Sequence, residues 1–367
     1  MTPLLWALGA LGAVVVLVIA GIVYLAVVLA WEEQRTLGLA YYGLPLDERR
    51  RFRRWLRFHA RMLRPVVRLS ARFTKVNLAN AGFRYQGVAG PKGSCSEESF
   101  RAGHGYTPRP GDVFVVTQMK CGTTWMQHVV YEVLMRGRGS LAEQGEAMYA
   151  VSPWLEGRKS VSISEAPVVG EERPSRIIKT HFPADLCPLS DDAKYIYVVR
   201  HPVSCFASCA DFIGANLGAF APDLDSVRAW YCSEEDMWWG SWPRHVDGWW
   251  KLSRSRPNVL FIRFEDMKTD LAEVTRRVAD FLGMRSLTPD EVNAVVEKCG
   301  FDYMRAHEES FEMQPPHLLA IDAELLVKGT ADRYRDVPDA LRREVMDWCR
   351  SHLEHAEYPL AEQYPAR

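Results

Sequence analysis

The longest unbroken apolar run lies at the amino end, where residues 3–31 include no charged side chain. A helix crosses bilayer hydrocarbon with about 20 apolar residues, so this run predicts a retained membrane anchor. A secretory signal would carry a basic start, a core of roughly 7–15 residues and a small-residue cleavage site. Here no Lys or Arg precedes the run, which is also longer than such a core. Then the pattern changes. Phe52, Trp55, Leu56, His59, Met62, Leu63, Val66 and Val67 recur at helical spacing, with Arg50, Arg53, Arg54, Arg57, Arg61 and Arg64 on the other side. This predicts a basic amphipathic helix, kinked or split at Pro65. Such a helix either lies in the headgroup layer or packs on a domain with its arginines in water.

Residues 80–111 are dense in Gly, Pro and Ser and predict a linker and substrate loop. Beyond them, short apolar runs alternate with longer helical patterns. Strands are expected at 112–117, 176–181, 194–200 and 258–264, and helices at 123–135, 204–212, 270–283 and 288–300. The last two helices end in glycine. Strands separated by helices predict an α/β fold with a central parallel sheet flanked by helices. The chain thus divides into an anchor (1–31), a basic juxtamembrane segment (32–79), the linker (80–111) and a catalytic domain (112–360).

Composition adjusts this picture in two places. Net charge over the 367 residues is −1, which argues against nucleic acid as a partner of the whole chain. Yet Arg49, Arg50, Arg51, Arg53, Arg54, Arg57, Arg61, Arg64, Arg68 and Arg72 all follow the apolar run. The positive-inside bias then puts a single-pass chain's catalytic domain in the cytoplasm. The eight cysteines form no C-x-x-C pair, and a chain this long needs no disulfide staples. They read as reduced thiols, with Cys205 and Cys209 as buried apolar groups.

Candidate chemistry sits at strand ends, where ligands of such sheets bind. The first is "TQMKCGTTW" (117–125). Gly122 permits a tight turn, Thr123 and Thr124 open a helix whose N–H groups can hold an anion, and Lys120 adds a full charge. A nucleoside-triphosphatase loop puts Lys after its second glycine. Here Lys precedes the glycine, and residue 117 is not glycine. Trp125 is either a stacking surface for a base or a core residue.

"KCGTTWMQ" (120–127) resembles the 5′-phosphosulfate loop of the cytosolic sulfotransferase family, usually K-S-G-T-T-W. Further segments resemble that family in order: "RIIKTHFP" (176–183), "YVVRHPVSCFAS" (197–208), "GSWPRHVDGWWKLSR" (240–254), "VLFIRFEDMKTDL" (259–271) and "VKGT" (327–330). The resemblance spans roughly residues 110–353 and excludes the anchor. It implies sulfuryl transfer from 3′-phosphoadenosine 5′-phosphosulfate (PAPS) to an acceptor hydroxyl, with no metal. It implies His181 as general base and Lys120 and Lys179 as stabilisers of the transferred group. Lys120, Cys121, Gly122, Thr123 and Thr124 would hold the 5′-phosphosulfate. Arg200, Ser208, Lys328 and Gly329 would hold the 3′-phosphate, and Trp125 and Phe301 would sandwich the adenine.

Several positions depart from the family pattern. Cys121 replaces a usual Ser, and its place at a helix start predicts a lowered thiol pKa. Phe264 replaces a usual Tyr, removing a hydrogen bond near the nucleotide. Cys299 and Gly300 replace hydroxyl residues, Val327 replaces Arg, and of the usual G-D-W ending only the aromatic Tyr334 remains. His128 reads as structural, and Trp238, Trp239, Trp242, Trp249 and Trp250 as core or pocket wall. Two other readings stay open: a kinase-like phosphate-transfer enzyme, and a catalytically idle anchored nucleotide-binding protein. The acceptor, a small-molecule or lipid hydroxyl, would be shaped by residues 75–110 and 213–239. Their Phe, Tyr and Leu content points to a lipophilic molecule. Oligomeric state is not legible.

Overall fold

The computed structural model describes residues 3–36, 39–312, 315–319 and 333–365. The apolar run forms a single helix, α1 (Pro3–Thr36). It is long and apolar enough to cross a membrane, and residues 6–20 are all exposed. The arginine-rich segment forms α2 (Leu46–Ser70), which runs unbroken through Pro65. An interior proline costs about 3 kcal/mol. The packing on both sides of it offsets that cost. Leu56 and Leu63 are buried, Trp31 of α1 meets Trp55 and Phe52 at 3.8 and 5.5 Å between ring centroids, and Gly21 lies against Val66.

The Gly- and Pro-rich stretch is not only a loop. It holds an antiparallel hairpin, β1 (Gly82–Tyr85) and β2 (Val88–Pro91), and a helix, α3 (Glu97–His104). Gln86 and Gly87 turn the hairpin with φ of 48° and 77°, the left-handed pair that a tight two-residue turn requires. Ser96 and Ser99 cap α3 reciprocally. Its Phe100 is fully buried, edge-on to Phe83 and Phe182.

The central sheet has four parallel strands in the order β4–β3–β5–β6: β3 (Asp112–Thr117), β4 (Arg176–Thr180), β5 (Lys194–Val199) and β6 (Val259–Arg263). Alternate side chains serve two cores. Val113, Val115, Ile177, Ile196, Val198 and Ile262 face Met126, Val129 and Val133 of α4 (Thr123–Leu134). Phe114, Val116, Ile178, Tyr195 and Tyr197 share the other core with Cys205 and Phe206 of α5 (Pro202–Leu217) and with Trp242, Val246 and Trp249 of α6 (Trp242–Ser255). Fully burying one such aliphatic or Phe side chain contributes about 1.5–3 kcal/mol, which is why these runs form central strands. The amphipathic stretch after β6 gives α7 (Leu271–Leu282), ended by left-handed Gly283, and α8 (Pro289–Lys298), opened by a Thr288–Glu291 capping box. A further helix, α9 (Asp339–His352), closes the second core through Leu341, Val345 and Cys349. With β4 and β5 on opposite sides of β3, the chain reverses its winding there. A crevice for a ligand opens at such a switch point.

Candidate active site

β3 ends at Thr117, and the next five residues turn sharply into α4. Gly122 has φ 99°, and a Cβ there would stand 2.7 Å from the Phe264 ring. Only glycine fits. The turn leaves the first N–H groups of α4 without helical partners. Thr123 is spoken for, its hydroxyl 2.7 Å from that of Thr117. The Thr124 hydroxyl is buried and finds no hydrogen-bond partner among the described residues. A buried polar atom of this kind at a helix start suits an anionic oxygen. Lys120, at φ 65°, places its Nζ 4.6 Å from the centre of the Phe212 ring.

Cys121 corrects one expectation. Its thiol is buried 3.6 Å from the Cys205 sulfur, and burial pushes its pKa well up rather than down. Loss of solvation outweighs the helix end here. Its main-chain N–H remains part of the turn. All eight cysteines carry free thiols.

The end of β5 brings in Arg200. Its Nη1 donates to the Lys120 carbonyl at 3.2 Å, and its guanidinium lies 4.4 Å over the Phe264 ring. Ser208 is half-buried on α5. Trp125 donates its indole N–H to the Cys299 carbonyl at 2.8 Å, two residues before half-buried Phe301. That bond holds the two expected adenine-facing segments together. Lys328, Gly329 and Val327 lie outside the described residues. Phe264 proves to be more than a lost hydroxyl. It touches Gly122, Trp125 (5.5 Å between rings) and Arg200 together, and so forms a floor under the turn.

At the end of β4 stands His181, 5% exposed. Its Nδ1 lies 2.8 Å from the Thr117 carbonyl. A carbonyl only accepts, so Nδ1 carries the proton and Nε2 keeps its lone pair. Burial, helped by the neighbouring Lys179 charge, holds the imidazole pKa well below its ordinary value. The backbone beneath is clamped. Buried Glu156 accepts from the His181 N–H at 2.8 Å and from the Thr180 hydroxyl at 2.9 Å, while His245 Nε2 donates to the His181 carbonyl at 2.9 Å. Sequence reasoning passed over Glu156. The signal was a lone carboxylate in the apolar stretch "SPWLEG" (152–157).

Lys179 is buried beside them. Its Nζ donates to the Tyr149 hydroxyl at 2.5 Å and sits 3.8 Å over the Trp154 ring. Burial, against the opposing pull of Glu156, brings its pKa down to about 7. The two stretches expected to shape an acceptor pocket converge on His181. Trp239, whose ring centre is 4.7 Å from that of His181, donates its main-chain N–H to Ala89 of the hairpin at 2.7 Å. Trp154 closes the other side at 5.6 Å. Trp242 and Trp249 are core, and His128 is buried against the Lys298 carbonyl at 3.2 Å.

Residues 110–355 match the family described as "Sulfotransferase domain". The chain is 30% identical to sulfotransferase 2B1 of Mus musculus over 278 residues, covering 74% of this chain and 80% of that one. It is 29% identical to a 3-alpha-hydroxysteroid sulfotransferase of Cavia porcellus over 241 residues, 64% of this chain and 81% of the other. Among solved structures, a retinol dehydratase in complex with androsterone and the inactive cofactor PAP shares the fold. Its TM-score is 0.61 at 20% identity, covering 78% of this chain and 97% of the other.

Proposed function

The chain belongs to the sulfotransferase family, and on that footing we propose that it sulfates a lipophilic, membrane-borne hydroxyl compound, with His181 as general base. It is an enzyme that takes its sulfuryl group from PAPS. When bound, the donor supplies an activated sulfuryl group on a phosphate leaving group. Lys120, the α4 N–H groups and the unpartnered Thr124 hydroxyl would hold its 5′ side. Arg200 and Ser208 would hold its 3′-phosphate, Arg200 as a planar fork. Trp125 and Phe301 would flank the base. Sulfuryl transfer, like phosphoryl transfer, needs alignment and charge neutralisation more than covalent help. Lys120 and Lys179 would neutralise the equatorial and leaving oxygens.

One observation carries the reading: Nδ1 of His181 is committed to the Thr117 carbonyl at 2.8 Å, which leaves Nε2 as a fixed acceptor at the mouth of the switch point. An acceptor hydroxyl hydrogen-bonded there would lose its proton as the bond to sulfur forms. The aromatic wall of Trp154 and Trp239 favours an apolar acceptor. So do the apolar α1 and the steroid names among the relatives.

The test is a screen of sterol, lipid and phenol acceptors with radiolabelled PAPS, using the full chain in sealed vesicles, cytoplasmic face outward. Label should appear in solvent-extractable sterol or lipid, with the donor added outside and no detergent. Labelling of water-soluble phenols alone would remove the lipophilic acceptor. A requirement for detergent would remove the cytoplasmic placement of the domain. Phosphate transfer from ATP would favour the kinase-like alternative, and binding of adenosine 3′,5′-bisphosphate without any turnover the idle one.

A pH dependence follows from Lys179. Its charged form is the useful one, and in the free enzyme that form is lost as pH rises through about 7. Therefore kcat/KM for the donor, which reports the free enzyme, should fall about tenfold per pH unit above that point. The kcat limb should lie higher, because a bound anion favours the ammonium. His181 is already neutral below its ordinary range, so no rise is expected across pH 6–7. A flat kcat/KM from pH 6 to 9 would contradict the assignment.

A further inference from the structure

The arginines of α2 fall into two groups. Those at its beginning are used by the domain. Buried Arg49 donates to the Glu309 carbonyl at 2.7 Å and to the Gly145 carbonyl. Arg50 pairs with the Glu309 carboxylate at 2.6 Å, and Arg53 pairs with Glu312. Toward the other end, Arg54, Arg61, Arg64, Arg68 and Arg72 are exposed and form no ion pair among the described residues. Beside them runs an exposed apolar stripe at spacings of four and seven residues: Phe58, Met62 and Leu69, 59%, 61% and 47% exposed. Phe73 follows just past the helix at 84%. The packed face of α2, through Leu56 and Leu63, is a third and separate side. A domain needs neither exposed stripe, but an interfacial helix needs both.

Their level along the chain is also fixed. α1 and α2 run antiparallel, since Gly21 meets Val66, Tyr24 meets His59 and Trp31 meets Trp55. The hydrocarbon of a bilayer takes about 20 helical residues, which from the start of α1 reaches Gly21 and Ile22. One side of the remainder of α1 is engaged, while Val23, Val27 and Leu29 stay exposed. Val28 is buried, Glu32 accepts from the Leu318 N–H at 2.8 Å, and Glu33 pairs with Arg158 at 3.6 Å. A span counted from the start of α1 therefore leaves the hydrocarbon opposite Val66, and at the helical rise Arg61 and Arg72 lie within about 10 Å of that level.

We propose that the Arg61–Arg64–Arg68–Arg72 stripe, with Met62, Leu69 and Phe73 inserted beside it, binds the headgroups of anionic phospholipids where α1 emerges. This rests on α1 as a membrane span and gives that reading a specific lipid partner. Each arginine near an anionic surface strengthens attraction about fivefold, and the attraction falls with salt.

The experiment is native mass spectrometry of the full chain in detergent, titrated with phosphatidylserine or phosphatidylcholine. The chain should retain phosphatidylserine at least tenfold more tightly. In R61Q/R64Q/R68Q/R72Q that preference should shrink to within about threefold, while the matching Arg→Lys variant keeps most of it. Affinity for adenosine 3′,5′-bisphosphate should be the same in all three, which separates lost lipid binding from lost folding. Equal retention of both lipids, or an unchanged preference in the glutamine variant, would overturn the proposal. An alkaline wash of reconstituted vesicles distinguishes the underlying reading. A chain that stays in the membrane but shows no phosphatidylserine preference defeats only the headgroup site, whereas release of the chain defeats the span and the site together.

Discussion

His181→Ala lowers kcat by about 10²–10⁴-fold and leaves the affinity for adenosine 3′,5′-bisphosphate within twofold of wild type. Both halves follow from the geometry. The imidazole is joined to the end of β3 through the Thr117 carbonyl, and its free nitrogen is an acceptor near neutral pH. The proposed 5′ and 3′ anion sites draw on Lys120, Thr124 and Arg200, and the ring's link to the turn is the Thr117 hydroxyl, 3.2 Å from Nδ1 and 2.7 Å from that of Thr123. The strand end should keep its shape, since Glu156 and His245 hold residue 181 by its backbone. Calorimetric affinity measured beside turnover separates the outcomes. A variant that turns over normally ends the general-base assignment, and one that loses nucleotide affinity shows the cavity has propagated into the β3 turn.

Lys120→Ala should damage both quantities. Losing a charge-assisted contact to the bound phosphate is worth roughly 1.5–3 kcal/mol, or about 10–150-fold in affinity. Losing a fixed charge where the leaving oxygen develops its own should cost a further ~10²–10³-fold in kcat. The backbone does not confound the test, because the left-handed φ of 65° strains lysine and alanine alike. If affinity falls while kcat holds, Lys120 serves the ground state alone, and the charge on the leaving oxygen must be met by Lys179 and the α4 N–H groups.

Much of this was legible in the sequence, for physical reasons that differ by element. The central strands were clear because the inner pair, β3 and β5, is buried on both faces and so reads as near-continuous apolar runs. Gly122 was clear because a turn this tight tolerates few residue types. The hairpin was not legible. Its strands are four residues long with a glycine in each, too short for any period to emerge. The helix through Pro65 misled because proline is read locally, whereas α1 stabilises that segment from 45 residues away in sequence. Glu156 and Phe264 were missed or undervalued for a related reason. Their importance lies in what they touch, Glu156 the last residue of β4 and the one after it, and Phe264 three separate segments. Cys121 shows the opposite failure, a local rule about helix starts defeated by burial that only the fold reveals.

The tyrosines just after α1 bear on where this enzyme could be shortened at its apolar amino end. Tyr41 and Tyr42 are buried; Tyr41 donates to the Glu312 carboxylate at 2.8 Å, and the Tyr42 ring lies tilted 5.1 Å from that of Tyr149, the residue that receives the Lys179 ammonium. Trimming back to the start of the family-matching region would therefore strip a wall from the chamber around Lys179 and leave Glu312 buried without its partners. A shortened version should instead begin near Gly21, which discards the exposed residues 6–20 and keeps the contacts of Gly21, Tyr24 and Trp31 with α2. The useful boundary for expression and crystallisation lies inside the first helix.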